Sequence, residues 1–82
     1  MSTTAADIMK AIAEHLGVNV EDLDRQALLR EELGLGPIEL HDLVAFLAEK
    51  FNVAFDPHDI ADAKTIEDLI DLTEDNLLDA EL

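Results

Sequence analysis

Carboxylates are the only reactive side chains that this sequence supplies in quantity. The chain has 20 Asp and Glu residues, three histidines and no cysteine, and its one serine is Ser2. No hydroxyl side chain occurs between Thr4 and Thr65, so the middle of the chain has no Ser, Thr or Tyr nucleophile. Nothing in the spacing of the acids distinguishes a general acid–base pair from surface charge. We therefore predict that the protein is not an enzyme.

Metal binding has little support in the sequence. The histidines are scattered at His15, His41 and His58. They form no HExxH motif, and we predict that they are surface side chains. Residues 71–75 begin like a calcium loop, but Asn76 replaces the required glycine and the twelfth position is a leucine. We predict no metal site, only diffuse association of divalent cations with an acidic surface.

The acidic composition limits the classes of partner. Five Lys and Arg residues against 20 acids give a net charge of -15 over 82 residues. Nucleic acids and anionic membrane surfaces require basic groups, so we exclude both as partners. No apolar run approaches the roughly 20 residues of a transmembrane helix, and residues 1–10 resemble neither a signal nor a transit peptide. We expect a cytoplasmic monomer that selects basic partners.

Hydrophobic spacing predicts helices around one small core. Apolar residues make up 49% of the chain, which is enough to form a core at this length. Ile8 and Ile12 recur at four-residue spacing in a first helix that ends at Leu16. Thr4 and Asp7 form a capping box at its start, and Gly17 follows its end. We predict a long loop over 18–35 with short helical turns.

A second helix is predicted from Pro37 to about Lys50. Proline is favoured at a first helical position, and Gly36 is a tolerable N-cap. One stripe of the helix faces the core: Leu40, Leu43, Val44, Leu47 and Phe51. Ile38 and Ala45 fall almost opposite this stripe, so the pattern predicts that these two apolar residues face water.

Two further helices complete the predicted architecture. Asp56 and Pro57 begin a short helix, and Thr65 with Asp68 caps the last one. The sum is an all-α fold, a small antiparallel four-helix bundle with three longer helices, a short third helix and a long loop between the first two. We predict a single domain over residues 1–82, with 75–82 as a frayed acidic tail.

The order of these elements resembles the acyl carrier protein family, from about Ile8 to Leu72. The matching segments are Leu16-Gly17-Val18, Leu33-Gly34-Leu35-Gly36-Pro37-Ile38, Glu49-Lys50-Phe51, Asp56-Pro57-His58-Asp59 and Lys64-Thr65-Ile66. The resemblance implies the four-helix bundle of acyl-carrier-protein type. It also implies 4′-phosphopantetheine on a serine at the start of the second helix, and docking of that helix onto partner enzymes.

The residue expected to carry the cofactor departs from the family pattern. Attachment of 4′-phosphopantetheine needs a serine hydroxyl, and Pro37 occupies the matching position with Gly36 in place of the preceding Asp. Neither residue has a hydroxyl. The pair therefore keeps a good helix start while removing the attachment chemistry, and we predict no cofactor at this position.

The resemblance implies that the acidic second and third helices form a docking surface. The candidate docking residues are Ile38, Glu39, Asp42, Ala45, Glu49, Asp56 and Asp59. Opposite charge would steer this surface to a basic patch on an acyl- or peptidyl-transfer enzyme or a related assembly. The alternative interpretation is a solvated acidic face that serves only solubility.

The first hypothesis for function is a non-covalent interaction module that lacks the phosphopantetheine arm. A second is a covalent acyl carrier in fatty-acid or polyketide synthesis, assigned by family. A third is a binder of a free acyl chain between the second and third helices, which depends on packing around Phe46, Phe51 and Phe55. An acidic mimic of nucleic acid is the weakest alternative.

Overall fold

The first helix, α1, spans Ala5–Leu16 in a computed structural model that describes the backbone of residues 4–81 and the side chains of residues 4–77. The predicted capping box at Thr4 and Asp7 is confirmed, because each side chain pairs with the backbone of the other residue. Gly17 adopts a left-handed conformation with φ 74°, which ends the helix as its position predicts. The buried face of α1 consists of Ile8, Ala11, Ile12 and Ala13.

The predicted loop after α1 is an ordered segment fixed by backbone hydrogen bonds. It contains one 3-10 turn, Val20–Asp22, and a turn in which the Leu33 N–H donates to the Leu28 carbonyl at 3.0 Å. The Leu29 N–H donates to the Lys64 carbonyl at 2.9 Å, across a short antiparallel bridge between Leu28 and Thr65. The sequence predicted the helical turns but not this bridge, because its two sides are distant in the chain.

The second helix, α2, spans Pro37–Phe51. Leu40, Leu43, Val44 and Leu47 are buried as predicted, while Phe51 is half-buried against the core. The helix ends at Asn52, whose φ of 55° places it in the left-handed region that Asn tolerates better than most residues. The predicted apolar stripe is therefore confirmed, with its last member at the edge of the core.

The third helix, α3, spans Pro57–Asp62, and the fourth, α4, spans Ile66–Glu81. Asp68 binds the start of α4, because its carboxylate accepts the N–H groups of Lys64 at 2.8 Å and Thr65 at 3.1 Å. The predicted caps of both helices are confirmed. Residues 75–81 continue α4, while Leu82 and the side chains of 78–82 lie outside the described part, so the frayed tail stays a prediction.

Helix α1 packs against both α2 and α4, and it also contacts the 3-10 turn of the loop. The core combines buried residues from the helices with Leu23, Ala27, Leu29 and Leu35 from the loop. This arrangement is the predicted all-α, small antiparallel four-helix bundle. It places the first turn of α2 at the surface, beside the loop and α3.

Candidate functional site

The start of α2 is formed without help from any capping side chain. Gly36 has extended backbone angles, φ −77° and ψ 179°, and makes no side-chain hydrogen bond. Its carbonyl accepts the Leu40 N–H at 2.9 Å, which closes the first turn. Pro37 is the first helical residue and is exposed. Because proline lacks the N–H that would go unpaired here, the helix begins normally with no hydroxyl or carboxylate at either position.

The Glu39 carboxylate occupies the space next to Gly36. A Cβ atom added to Gly36 would lie 3.3 Å from Glu39 Oε1. A negative charge in the first turn is favourable, because the unpaired N–H groups there give the helix end a partial positive charge. A larger residue at position 36 would displace this carboxylate, which is the mobile end of a flexible side chain.

The hydroxyl groups within residues 4–77 all have structural partners elsewhere. Thr4 and Thr65 accept N–H groups at the starts of α1 and α4, at 3.3 Å and 3.2 Å. Thr73 is fully buried, and its hydroxyl donates to the Leu69 carbonyl at 2.8 Å. None of these three lies on α2 or in the loop before it. Pro37 has no side-chain hydroxyl either, so the described start of α2 does not fit phosphodiester attachment of phosphopantetheine.

Most of the predicted docking residues share one face of α2. Ile38, Asp42, Ala45 and Glu49 follow one another at spacings of four, three and four residues, which places them in a single stripe. All four are exposed, and Ile38 keeps 74% of its surface in solvent. Glu39 is exposed beside them. The predicted exposure of Ile38 and Ala45 is confirmed, and their part in docking stays a prediction.

The two candidate residues on α3 have different surroundings. Asp56 is the N-cap of α3, and its carboxylate accepts the His58 N–H at 2.8 Å. This carboxylate therefore stabilises the start of α3. Asp59 is exposed in the first turn of the same helix. We define the acidic surface as the candidate docking residues on α2 and α3 together.

A groove of about 510 Å³ lies between the loop, α2 and α3, with Pro37 at its edge. The interhelical groove is lined by Leu28, Leu29, Arg30, Glu31, Pro37, Leu40, His41, Val44, Phe55, Pro57, Ile60, Ala61, Ala63 and Lys64. All three phenylalanines considered from sequence, Phe46, Phe51 and Phe55, pack against the core, and Phe55 also lines the groove. The position of Arg30 and Lys64 at the groove could not be predicted, because the bridge that joins their segments was not predicted.

Hydrogen bonds from the backbone lower the pKa of two carboxylates at helix starts. Bonding to the Lys64 N–H, with further bonds from Thr65, lowers the pKa of Asp68 against the opposing effect of its partial desolvation. Bonding to the Thr4 backbone and hydroxyl likewise lowers the pKa of Asp7. These two groups stabilise helices and lie outside the acidic surface.

Metal-ligand clusters and membrane-spanning helices are both absent from the part of the chain that the structure describes. Among side chains 4–77, no cluster of three or more His, Asp or Glu residues is placed to hold a metal ion. No described helix combines the length and apolar character needed to cross a membrane.

Comparison with known proteins finds relatives that are all named acyl carrier proteins. The acyl carrier protein of Wolinella succinogenes is 30% identical over 70 residues, covering 85% of this chain and 92% of that protein. The acyl carrier protein of Exiguobacterium sp. is 27% identical over 71 residues, covering 87% and 90%. The crystal structure of the Thermotoga maritima acyl carrier protein superposes with a TM-score of 0.74 at 27% identity, covering 92% of this chain and 87% of that one.

A family model described as "Phosphopantetheine attachment site" matches residues 6–73, close to the span predicted from the sequence. The relatives are carriers by name, in agreement with the prediction that this chain is not an enzyme. The matched span includes both the start of α2 and the helices on either side of it. The chain belongs to the acyl carrier protein family.

Proposed function

We propose that this chain is an acyl-carrier-protein-like interaction module that does not carry 4′-phosphopantetheine at the usual position. The observation that carries the proposal is Pro37, an exposed residue without a hydroxyl at the first position of α2. The surrounding helix start is well formed, so the fold tolerates this residue without local strain. A chain that keeps the helical bundle but has no attachment hydroxyl at this position can still bind a partner protein non-covalently.

The acidic surface is the proposed docking site. Glu39, Asp42 and Glu49 are exposed acids on α2, and Ile38 is an exposed apolar residue on the same helix. An exposed apolar residue within a charged rim is the usual composition of a protein interface. The charges would steer a basic partner within about 8 Å at physiological ionic strength, and Ile38 would be desolvated on contact.

The proposed partner is a basic surface of an acyl- or peptidyl-transfer enzyme, or of a related assembly in fatty-acid or polyketide biosynthesis. Support comes from the curated relatives, which are acyl carrier proteins. We propose that the protein acts as a cytoplasmic monomer.

Intact-mass measurement tests the proposed absence of the covalent arm. The purified chain is incubated with coenzyme A and a broad phosphopantetheinyl transferase, and we expect no added pantetheine mass. The double variant Gly36→Asp, Pro37→Ser should gain the adduct if the transferase recognises the scaffold. Gly36→Asp alone is the matched control, since it restores the acid without the hydroxyl. An adduct on the unmodified chain would overturn the proposal.

Docking is tested by titration against acyl-transfer enzymes, including the same transferase. We expect the dissociation constant to rise with salt and with Glu39→Lys or Asp42→Lys, by severalfold for each charge reversal. Glu21→Lys is the control, because Glu21 is an exposed acid on the 3-10 turn outside the acidic surface. Equal weakening by Glu21→Lys, or binding insensitive to salt, would contradict docking through the acidic surface.

The second candidate function is a covalent acyl carrier. The family model favours it, because the match described as a phosphopantetheine attachment site extends across Gly36 and Pro37. This candidate requires a hydroxyl acceptor elsewhere in the chain. The mass of the unmodified chain separates the two functions directly.

A further inference from the structure

The charge along α2 is not uniformly negative. Lys50 lies in the last turn of the helix and is the only Lys or Arg residue between Pro37 and Ala63. At 1.5 Å per residue, it lies about 12 Å along the helix axis from Asp42. That separation exceeds the Debye length of about 8 Å at physiological salt, so the charge of Lys50 does not cancel the field of Asp42. The helix therefore presents acids near its start and a basic group near its end.

Helical spacing places Lys50 at the edge of the acidic surface, on the side of α2 that faces α1. Lys50 follows Glu39 by eleven positions, so the two residues are only about 20° apart around the helix axis. The Lys50 Nζ lies 3.7 Å from Oε2 of Glu14, which belongs to α1. A partner that covers Glu39 and continues along the same side of α2 therefore meets Lys50.

Contacts with two side chains hold the Lys50 ammonium in place. Besides the contact with Glu14, its Nζ lies 5.7 Å from the centre of the Phe46 ring, within the range of attraction between a cation and an aromatic face. The Phe46 ring stacks with the His15 imidazole, with centroids 4.9 Å apart and 29° between the planes. We define the cation–aromatic cluster as Glu14, His15, Phe46 and Lys50.

The Lys50 ammonium can still bind a further anion. Its distance of 3.7 Å from the Glu14 oxygen is longer than the roughly 2.7–3.2 Å of an N–H···O hydrogen bond. The Glu14 contact therefore leaves the three N–H donors of the ammonium unused. The Lys50 side chain also keeps 43% of its surface in solvent. A carboxylate that approaches from solvent can accept a charge-assisted hydrogen bond from Lys50 that Glu14 does not.

We propose that Lys50 is a specificity-determining residue of the acidic surface. The partner places an Asp or Glu carboxylate opposite Lys50, beside the basic residues that face Glu39 and Asp42. An enzyme whose contact surface is basic throughout places a cation against Lys50 instead, and the repulsion between like charges disfavours its binding. This inference rests on the proposed docking function and specifies the charge pattern of the partner.

The Lys50→Glu variant tests the inference, because net charge alone predicts the opposite result. The change makes this side of α2 more negative by two charges, so a partner that responds only to negative charge would bind more tightly. The titration uses the phosphopantetheinyl transferase and the acyl-transfer enzymes of the docking measurement. We expect the enzyme with the highest affinity for the parent chain to bind Lys50→Glu about three- to tenfold more weakly and Lys50→Arg equally well. Tighter binding to Lys50→Glu would overturn the inference.

Two control variants separate the position of the charge from its amount. The double variant Glu14→Lys, Lys50→Glu keeps the ion pair and the net charge but moves the positive group from α2 to α1, and it should bind as weakly as Lys50→Glu. Lys10→Glu makes the same change of net charge on exposed α1 and should not weaken binding. Circular dichroism establishes that each variant is folded. Parent affinity in the double variant, or equal weakening by Lys10→Glu, would refute the role of Lys50.

Carbodiimide cross-linking locates the carboxylate of the partner. The reagent joins an amine and a carboxylate in contact as an amide, and mass spectrometry should identify Lys50 joined to an Asp or Glu of the enzyme. Changing that acid to Lys should restore binding of Lys50→Glu. Cross-links to the enzyme from other lysines alone would contradict the inference. Absence of binding by every enzyme would reject docking itself, whereas binding that is insensitive to Lys50 would reject only this inference.

Discussion

At the scale of single residues, Pro37 separates two properties that the family pattern combines at one position. A serine there would both begin the helix and supply an oxygen for attachment, whereas Pro37 supports only the helix start. Gly36 is worse than Asp as an N-cap by only a few tenths of a kcal/mol. Gly36 and Pro37 therefore start the helix at little cost in stability, so the fold is compatible with the proposed absence of the covalent arm.

Asp68 gives a prediction at the same scale. Hydrogen bonds at the start of α4 lower the pKa of Asp68, so the carboxylate stabilises the fold above its unfolded pKa and loses that effect as pH falls through its folded pKa. Asp68→Asn should lower the free energy of unfolding by about 1 kcal/mol at neutral pH. Urea denaturation at several pH values measures this difference.

The pH dependence distinguishes the charge of Asp68 from its shape. Below the folded pKa, the carboxyl group of the parent protein is neutral, so the gap between parent and Asp68→Asn should close. Asp75→Asn, at an exposed site on the same helix, is the control and should have little effect at any pH. A gap that stays constant from neutral to acidic pH would contradict the role of the charge.

At the scale of elements, the ends of the helices could be predicted from local sequence. Thr4 with Asp7, Gly17, and Thr65 with Asp68 act through bonds and backbone angles within a few residues of each helix end. The stripe of Ile38, Asp42, Ala45 and Glu49 was predictable for the same reason, since helical periodicity alone determines which residues share a face.

The interhelical groove could not be predicted in this way. Its walls come from segments 28–31, 37–44 and 55–64, and their approach depends on tertiary packing. The bridge between the loop and the start of α4 involves a two-residue pairing too short to leave an alternating pattern in the sequence. The periodicity of a sequence predicts each helix separately, so it does not predict features that several helices and loops form together.

Hydrogen exchange tests the bridge as a structural element. The amides of Leu29 and Ile66 donate to the carbonyls of Lys64 and Ala27, so both should be protected to a degree similar to core amides of α2. The comparison is the amide of Glu21 on the exposed 3-10 turn. Exchange of Leu29 as fast as Glu21 would show that the bridge does not persist in solution.

At the scale of the whole molecule, the negative charge is unevenly distributed. Residues 1–36 contain 7 acids and 3 bases, net −4, and residues 37–82 contain 13 acids and 2 bases, net −11. The excess begins at Pro37, where α2 and the acidic surface also begin. Self-repulsion of this charge opposes the compact state.

Screening of this repulsion should stabilise the protein. We expect the melting temperature to rise with NaCl, because a Debye length of about 10 Å at 0.1 M shortens to about 3 Å at 1 M. Magnesium chloride at matched ionic strength should add a modest, gradual increase, since described side chains form no metal-binding cluster. A saturable stoichiometric transition at micromolar magnesium would contradict diffuse association.

The bridge between the loop and α4 also constrains how the chain folds. The Glu67 N–H donates to the Arg25 carbonyl, and the side chains of these residues, 42 positions apart, form an ion pair. These bonds require closure of a long segment that includes all of α2 and α3. During synthesis the loop can therefore reach its final conformation only after residue 67 has left the ribosome. We therefore expect the loop to be completed late in folding, together with the start of α4.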